Sequence, residues 1–276
     1  MSPDILRYTA FSDDPDGGNP AGVVLDATGL DDAAMLGIAA ELGYSESAFL
    51  YPDSTLRFFS PKAEVAFCGH ATVATSVALA EQQGGPGSYV FRTPAGEIPV
   101  TTELVDGQVR ATLTSVEPHI KDVEAADLTE ALAALDWAAE DLDPALPPRI
   151  AFAGNNHLVL SAATRERLAD LAYDFDRLKA LMERLDLTTV QLVHRAGETV
   201  FHVRDPFPVG GVVEDAATGA AAVAFGAYAR ELALVKEESV LTLHQGEDMG
   251  RPSLLTVTLR AGDPRVRVAG TAVPIG

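Results

Sequence analysis

The chain has 276 residues, a length that suits two domains of roughly 120 to 140 residues, each large enough for its own core. Its 40 acidic and 20 basic residues give a net charge of −20, which repels nucleic acid and anionic membrane surfaces. The one cysteine excludes an intramolecular disulfide, and no basic leader or membrane-length apolar run is present, so we expect a soluble, cytoplasmic protein that binds neither nucleic acid nor membrane.

The first half of the chain is predicted to be rich in strands. A loop over 13–20 separates strands at 5–11 and 21–25, and a helix runs from Asp31 or Asp32 to Leu42, where Gly43 ends it. Further strands are predicted at 48–51, 55–59, 89–93, 98–104 and 108–113. The last two form a hairpin through Asp106 and Gly107.

The second half is predicted to follow a crossover at 115–122, an acidic helix at 128–139 that carries Trp137, and a stiff Pro-rich segment at 143–148. Strands are then predicted at 149–152, 157–160, 189–194, 199–204, 240–243, 254–259 and 266–268, and helices at 165–171 and 176–185. Because the final residues can return to the first half, we expect one domain over 1–115 with 265–276 and a second over 116–264.

The stretch from Val65 to Ala74 is predicted to be a short apolar strand, a turn at Gly69 and a helix that Gly84-Gly85 ends. The first N–H groups of such a helix have no partner within it, and they favour an anion above the turn. Because the helix is apolar on nearly every face, it is predicted to lie in a core.

The same pattern recurs in the chain 147 residues later. This shift places Arg57 on Arg204, Ala74 on Ala221 and Cys68 on Asp215, and the second helix is again rich in alanine. We interpret the repeat as two half-molecules related by duplication. A coincidence between two Ala-rich helices is the alternative.

Four polar residues are candidates for chemistry at the two helix starts. Glu46 precedes an apolar strand, so partial burial would make it a base that works near neutral pH, although a turn carboxylate that caps a backbone N–H is the alternative. Asn19, held out of the helical region by the following proline, can point into a cleft or simply form an Asn-Pro turn. If the two halves face each other, His70 and Asp215 would lie with Glu46 at one cleft between them. This set suits proton abstraction next to a bound carboxylate or carbonyl.

The sequence predicts no metal and no cofactor. The histidines lack the close spacing of a zinc site, and Glu46, His70 and Asp215 do not form a recognisable ligand set. The glycine pairs at 17–18 and 210–211 lack the lysine and hydroxyl of a phosphate-binding loop.

Six short motifs, in order over nearly the whole chain, resemble those of the phenazine-biosynthesis isomerases, the PhzF-like family. They are Gly18-Asn19-Pro20-Ala21-Gly22-Val23-Val24, Ser45-Glu46-Ser47-Ala48-Phe49-Leu50, Phe59-Ser60-Pro61 with Glu64-Val65, Cys68-Gly69-His70-Ala71-Thr72, Glu214-Asp215 with Thr218-Gly219, and Gln245-Gly246 with Gly250-Arg251-Pro252-Ser253. The resemblance implies an α+β fold of the diaminopimelate epimerase type. In that fold two pseudo-symmetric domains each wrap a mostly antiparallel sheet or barrel around a central helix.

The resemblance also implies roles for single residues. Glu46 matches the family's acid/base, and His70 and Asp215 match its cleft residues. The substrate is expected to contact Asn19 and the first residues of the two helices, which are Gly69, Ala71, Gly219 and Ala220.

The chain departs from the family pattern at several positions. Ala216 stands where proline is usual, and Ala220 stands where serine is frequent, so a hydroxyl that would contact substrate is missing. The related epimerases and proline racemases use one cysteine from each half. Cys68 aligned with Asp215 excludes such a two-thiol mechanism, and the apolar neighbours of Cys68 favour a buried small residue over a nucleophile.

We therefore expect a cofactor-independent isomerase that moves a proton on a small, anionic, carboxylate-bearing metabolite, with Glu46 as the base. A binding or scaffold protein of the same fold is one alternative, and a racemase or epimerase with Glu46 and Asp215 as opposed bases is another. The resemblance alone implies a homodimer.

Overall fold

The computed structural model describes residues 3–276, which form an α+β fold of two compact units. One unit comprises the chain up to Thr114 together with Ala269–Gly276, and the other comprises Ser115–Val268. Within residues 3–276 no helix has both the length and the apolar character needed to span a membrane.

The first unit contains strands β1 to β8 and helices α1 and α2. Their bounds are β1 Leu6–Ala10, β2 Asn19–Val24, α1 Asp32–Leu42, β3 Glu46–Leu50, β4 Leu56–Phe59, β5 Glu64–Val65, α2 Gly69–Gln82, β6 Ser88–Thr93, β7 Gly96–Val105 and β8 Gln108–Thr114.

Most strand pairs of this unit are antiparallel. They include β1 with β2, β3 with β4, β4 with β5, β6 with β7, and β7 with β8. Strands β2 and β3, in contrast, are parallel and are connected through α1. Helix α1 has the predicted caps, since the Asp31 side chain accepts from the Ala34 N–H and Gly43 adopts φ of 68°.

The second unit contains strands β9 to β16, the first half of β17, and helices α3 to α6. Their bounds are β9 His119–Asp122, α3 Ala125–Leu135, β10 Arg149–Phe152, β11 Asn156–Ser161, α4 Arg165–Ala169, α5 Phe175–Leu185, β12 Thr189–Arg195, β13 Val200–Pro206, β14 Glu214–Asp215, α6 Gly219–Glu231, β15 Ser239–Gln245, β16 Ser253–Arg260 and β17 Asp263–Pro274.

The pairing in this unit follows the same plan. Strands β10 and β11 are antiparallel, β11 and β12 are parallel, β12 and β13 are antiparallel, and β13 and β14 are antiparallel. The α4 and α5 segments connect the parallel pair, as α1 does in the first unit.

Each unit encloses a central helix, as the sequence pattern predicts. Helix α2 contacts β1, β2, β3, β7 and β8, and its residues from His70 to Ala78 are buried. Helix α6 contacts β9, β10, β11 and β16, and its residues from Ala221 to Ala229 are buried. Small side chains allow this close packing: a Cβ atom added at Gly226 would lie 2.7 Å from the Val257 side chain.

The remaining helices form an outer layer in each unit. Met35 and Ala39 of α1 pack with Phe49 and Phe59 in one apolar cluster. Helices α3 and α5 pack against the second sheet through a larger cluster that includes Trp137. Strands that lie between a central helix and an outer helix are therefore covered on both sides, which explains why the first five residues of β12 are buried on both faces.

The repeat predicted from sequence is present in the local geometry, but its spacing changes along the chain. Phe59 pairs with Glu64 between β4 and β5, and Pro206 pairs with Glu214 between β13 and β14. Phe59 thus matches Pro206, 147 residues later, whereas Glu64 matches Glu214, 150 residues later. The three extra residues of the second unit lie where Pro208–Gly210 form a short 3-10 helix.

This insertion overturns the predicted alignment of Cys68 with Asp215. The central helices begin at Gly69 and at Gly219, 150 residues apart, and the residues that cap them are Cys68 and Thr218. Cys68 therefore matches Thr218, whereas Asp215 lies in the strand that precedes its helix.

Several element boundaries also differ from the prediction. Helix α3 ends at Leu135 because Asp136 adopts a left-handed φ of 54°, so Trp137 follows the helix and does not lie within it. Strand β17 runs to Pro274, well past the predicted 266–268, and β5 contains only Glu64 and Val65. The predicted crossover at 115–122 contains β9, which pairs with β10.

Candidate active site

The first unit gathers a carboxylate, a thiol and an imidazole at the start of α2. The Glu46 Oε2 atom lies 3.6 Å from His70 Nε2 and 3.7 Å from Cys68 Sγ. The same sulfur lies 3.4 Å from His70 Nδ1. Around them, Asn19 Nδ2 is 3.1 Å from His70 Nδ1, and Ser45 Oγ is 3.4 Å from His70 Nε2. We call Glu46, Cys68 and His70 the Glu46 cluster.

Neighbouring elements of one sheet and one helix position these side chains. Glu46 is the first residue of β3 and pairs with Ala21 of β2, the strand that begins at Asn19. Cys68 is the extended residue that caps α2, and His70 is the second residue of that helix. The parallel pairing of β2 and β3 therefore delivers Glu46 to the same end of α2 that presents Cys68 and His70.

The Glu46 cluster is largely withdrawn from solvent. The side chain of His70 is 4% exposed and that of Glu46 is 12% exposed, while Cys68 and Asn19 are buried. With the Asn19 amide nitrogen as donor, His70 Nδ1 accepts and a neutral imidazole carries its proton on Nε2, toward Glu46 and Ser45. The tautomer is thus set by Asn19.

The first turn of α2 offers backbone donors beside the cluster. The first hydrogen bond within the helix runs from the Thr72 N–H to the Cys68 carbonyl, at 3.1 Å. The N–H groups of Gly69, His70 and Ala71 precede it and have no acceptor inside the helix. They lie where the helix dipole favours a negative group, as the sequence predicts for Gly69 and Ala71.

The second unit carries a different polar cluster at the start of α6. The Thr218 hydroxyl donates to Asp215 Oδ2 at 2.7 Å, and the Thr218 N–H donates to Gln245 Oε1 at 2.9 Å. Gln245 Nε2 in turn donates to the Asp215 carbonyl at 2.8 Å. The next residue, Gly246, adopts a left-handed φ of 73° and lies close to Arg251. A side chain does not fit there, because an added Cβ would lie 2.2 Å from the Arg251 carbonyl oxygen. Asp215 is therefore held firmly at this helix start.

A buried chain of polar side chains lies behind Asp215. His157 Nδ1 lies 2.8 Å from the Thr189 hydroxyl, which donates to Asp205 Oδ1 at 2.7 Å. Asp205 is paired in register with Asp215 across β13 and β14. Burial raises the pKa of Asp205 well above 3.8; the Thr189 hydrogen bond opposes this rise, and the charges of Asp215 and Glu214 add to it. Burial also lowers the pKa of His157, to about 3.

The predicted site residues thus fall into two groups. Asn19, Glu46, Gly69, His70 and Ala71 come together in the first unit. Asp215 lies beside Gly219 and Ala220, the first residues of α6, in the second unit. The shared cleft and the catalytic and substrate-binding roles stay predictions.

The structure also adds residues that the sequence reasoning did not assign to the site. Cys68 contacts both Glu46 and His70. The signal in the sequence that could have assigned it to the site was its position just before Gly69. Thr218 was recognisable as a possible helix cap. No local pattern links Gln245 or Asp205 to Asp215, because those contacts depend on strand pairing.

The Glu46 cluster also contains possible metal ligands, which the sequence did not predict. One ligand atom from each of Glu46, Cys68 and His70 lies within 4.8 Å of the others. The set does not fit a cation, however, because the Asn19 amide donates to His70 Nδ1 and leaves the proton on Nε2, the nitrogen 3.6 Å from Glu46 Oε2.

Comparison with known proteins identifies the family. The phenazine biosynthesis-like protein family, PhzC-PhzF, matches residues 8–276. The chain is 32% identical to the uncharacterized isomerase YddE of Escherichia coli K12, over 99% of this chain and 96% of that protein. It is 30% identical to the trans-2,3-dihydro-3-hydroxyanthranilate isomerase of Pseudomonas fluorescens, over 97% and 95%. A crystal structure of the PhzF-family protein of Bacillus anthracis is similar, with a TM-score of 0.89, 27% identity and coverage of 100% and 98%. The chain belongs to the phenazine biosynthesis-like, or PhzF-like, protein family, in which the Escherichia coli and Pseudomonas fluorescens relatives are named isomerases.

Proposed function

We propose that the protein is a cofactor-independent isomerase that moves a proton on a small metabolite carrying a carboxylate, with Glu46 as the acid/base. The observation that carries the proposal is the position of Glu46, whose mostly buried carboxylate lies at the start of α2, where the first N–H groups have no acceptor within the helix. A base and an anion-binding helix end are what abstraction of a proton next to a carboxylate requires.

In the proposed reaction Glu46 removes a proton from a carbon of the substrate. The electron pair left behind moves into the adjacent unsaturated system, and the backbone donors of α2 stabilise the negative charge that develops. Glu46, now protonated, returns a proton to a different carbon, so the product is an isomer and no other reactant is consumed. His70 and the Cys68 thiol orient the carboxylate by their contacts with Oε2.

The proposed substrate class is supported by one named relative. The Pseudomonas fluorescens isomerase acts, by its name, on an anthranilate, which carries a ring carboxylate. A panel of small carboxylates screened by thermal stabilisation identifies ligands of this protein. A ligand at about a hundred times its dissociation constant adds about 2.7 kcal/mol to the free energy of unfolding.

With a ligand from the panel, the test is turnover and hydrogen exchange in heavy water. We expect Glu46→Gln to lose about two to four orders of magnitude in turnover while still binding the ligand, because the amide keeps the shape but cannot accept a proton. Glu41→Gln, on the exposed face of α1, is the matched control and is expected to behave as wild type. Undiminished turnover in Glu46→Gln would assign the base elsewhere. A wild-type protein that binds but neither exchanges nor converts any ligand would be a binding protein.

A further inference from the structure

The second unit has a pair of carboxyl groups where the first unit has an apolar pair. Phe58 of β4 pairs with Val65 of β5, and the matching residues of the second unit are Asp205 of β13 and Asp215 of β14. Residues directly opposite each other in an antiparallel pair share one face, with Cβ atoms about 4.5 to 5.5 Å apart. The two carboxyl groups therefore lie close together. The fold does not require them, because the first unit forms the same strand pair with Phe58 and Val65.

Asp205 is the more deeply buried of the two, with 0% of its surface exposed. The Thr189 hydroxyl donates to its Oδ1 atom at 2.7 Å, and the Gln191 amide is its other neutral polar neighbour. In the described part of the chain, the Oδ2 atom has no hydrogen-bond partner. An ionised carboxylate is costly in such a place, because burial disfavours a charge that nothing neutralises.

The charged groups around Asp205 are mostly acidic. Burial raises the pKa of Asp205 well above 3.8, and the charges of Asp215 and Glu214 raise it further. The Arg204 guanidinium lies on the other face of β13, because successive residues of a strand alternate, and it contacts both carboxylate oxygens of Glu214. His157 is neutral, since burial lowers its pKa to about 3. None of these groups supplies the positive charge that an ionised Asp205 would need.

We propose that Asp205 binds one proton in the folded protein at neutral pH, so that the Asp205–Asp215 pair carries one negative charge instead of two. The proton comes from water when the chain folds, and it lies on Oδ2 because Oδ1 accepts from Thr189.

The start of α6 suits one charge and not two. Its dipole supplies about half a positive charge, and the Thr218 hydroxyl donates to Asp215. The helix has no charged residue between Gly219 and Ala229, so it offers nothing to balance a second carboxylate. Like charges directly opposite each other also destabilise a strand pair. Asp205 therefore acts through Asp215, and it is a positioning residue for it.

The bound proton has a measurable effect on stability. Above pH 5 the folded protein binds this proton, whereas the unfolded chain, with an ordinary pKa of 3.8 for Asp205, does not. The free energy of unfolding therefore falls as pH rises, which is opposite in sign to the effect of His157. From Asp205 alone, the equilibrium constant for unfolding rises about tenfold per pH unit until the folded protein loses the proton.

Infrared spectroscopy tests the proposal directly, because the C=O stretch of a protonated carboxyl group is separate from the bands of a carboxylate. We expect wild type to show this band at pH 7 and Asp205→Asn to lack it. Asp176→Asn, on the exposed part of α5, is the matched control and should keep the band. Asp215→Asn should lower the pH at which the band disappears by about one unit or more, because the opposing charge is gone.

Denaturant titrations at pH 5 and pH 7 supply a second measurement. Asp205→Asn cannot take up the proton, so the ratio of the wild-type unfolding constant to that of the variant should rise about a hundredfold between these pH values. His157 titrates in the same window, but it is present in both proteins and its effect cancels in the ratio.

Three outcomes overturn the proposal. The first is absence of the band in wild type at pH 7, and the second is an unchanged band in Asp205→Asn, which assigns it to another acid. The third is an unchanged titration of the band in Asp215→Asn, which means that the two carboxyl groups do not interact. Circular dichroism checks that each variant folds. If Asp205→Asn does not fold, ¹³C labelling of the aspartate side chains decides the assignment, because it shifts the band of an aspartic acid and not that of Glu46. These measurements need no substrate, so the result is independent of the isomerase proposal.

Discussion

Glu46 and Thr189 occupy the same position in their units, but only one of them can act as a base. Each is the first residue of a strand that pairs in parallel with its neighbour, Glu46 opposite Ala21 and Thr189 opposite His157. The second unit thus has a hydroxyl where the first has a carboxylate. Asp215 does not replace it, because Asp215 lies in the strand before α6. This asymmetry favours one acid/base over two opposed bases.

His157 gives the stability of the second unit a defined dependence on pH. Burial lowers its pKa from 6.5 to about 3, so the unfolded chain binds a proton below pH 6.5 that the folded protein does not bind until about pH 3. The free energy of unfolding therefore falls as pH decreases through this window. We expect a loss of about 2 kcal/mol between pH 7 and pH 5 from this residue alone.

Denaturant titrations at the two pH values test this, with Trp137 as the fluorescent reporter in the same unit. His157→Asn keeps a polar group near Thr189 but does not titrate. Between pH 7 and pH 5 its free energy of unfolding is therefore expected to fall by about 2 kcal/mol less than that of wild type. The exposed His119→Asn is the control and should keep the wild-type difference. An unaltered difference in His157→Asn would mean that other groups cause the pH dependence.

At the scale of elements, the strand, turn and helix around each central helix share an ion pair as well as a topology. Arg57 contacts both carboxylate oxygens of Glu64, and Arg204 contacts both oxygens of Glu214. The second pair is more buried, with side chains 10% and 5% exposed against 22% and 33%. Each ion pair links the short strand before the central helix to the strand that precedes it, β5 to β4 in the first unit and β14 to β13 in the second. Each central helix therefore starts from a fixed position, despite the insertion in the second unit.

The start of α6 depends on Gln245, and this dependence can be measured. Gln245 is buried and makes hydrogen bonds with Thr218 and with the Asp215 carbonyl. We expect Gln245→Ala to lower the free energy of unfolding by about 2 to 3 kcal/mol, because it leaves these groups without partners. Gln82→Ala, at the exposed end of α2, should change it by less than about 0.5 kcal/mol. Equal stability of the two variants would show that the start of α6 tolerates the loss.

The sequence predicted these elements well where local rules decide and poorly where tertiary contacts decide. The caps of α1 at Asp31 and Gly43, the hairpin at Asp106-Gly107 and the burial of both central helices follow from spacing and turn chemistry. The end of α3 at Leu135 was missed because an aspartate, and not a glycine, adopts the left-handed conformation.

The insertion was missed for a different reason. An alignment without gaps cannot contain three extra residues, so it matched the helices three residues out of step and placed Cys68 on Asp215. The Glu46 cluster, in contrast, was largely predictable from the motifs around Glu46 and His70. The contacts of Gln245 and Asp205 were not, because they arise from pairing between distant strands.

At the scale of the molecule, the last strand connects the two units through the chain itself. Strand β17 begins in the second unit, and its final residues belong to the first, where Ala272, Val273 and Pro274 pair with β1. Gly270 is required there, because an added Cβ would lie 2.2 Å from the Phe11 ring. The first unit therefore includes the end of the chain.

Removal of residues 269–276 should destabilise the first unit selectively. The deletion removes the partner strand of β1, together with the hydrogen bonds from the Phe11 N–H to Thr271 and from the Ile275 N–H to Arg7. We expect the first unit to lose about 3 kcal/mol or more. Hydrogen exchange followed by mass spectrometry should show lost protection in β1 and β2, with the second unit still protected. Deletion of Gly276 alone is the control; equal protection after both deletions would contradict the assigned role of β17.

The same strand affects how the protein can be made on the ribosome. The second unit, Ser115–Val268, is complete in sequence before the eight residues that finish the first unit have been synthesised. Domains usually fold in the order in which they leave the ribosome. Here the amino-terminal unit, although made first, has to wait for the carboxyl terminus, so the order of folding is expected to be the reverse of the order of synthesis.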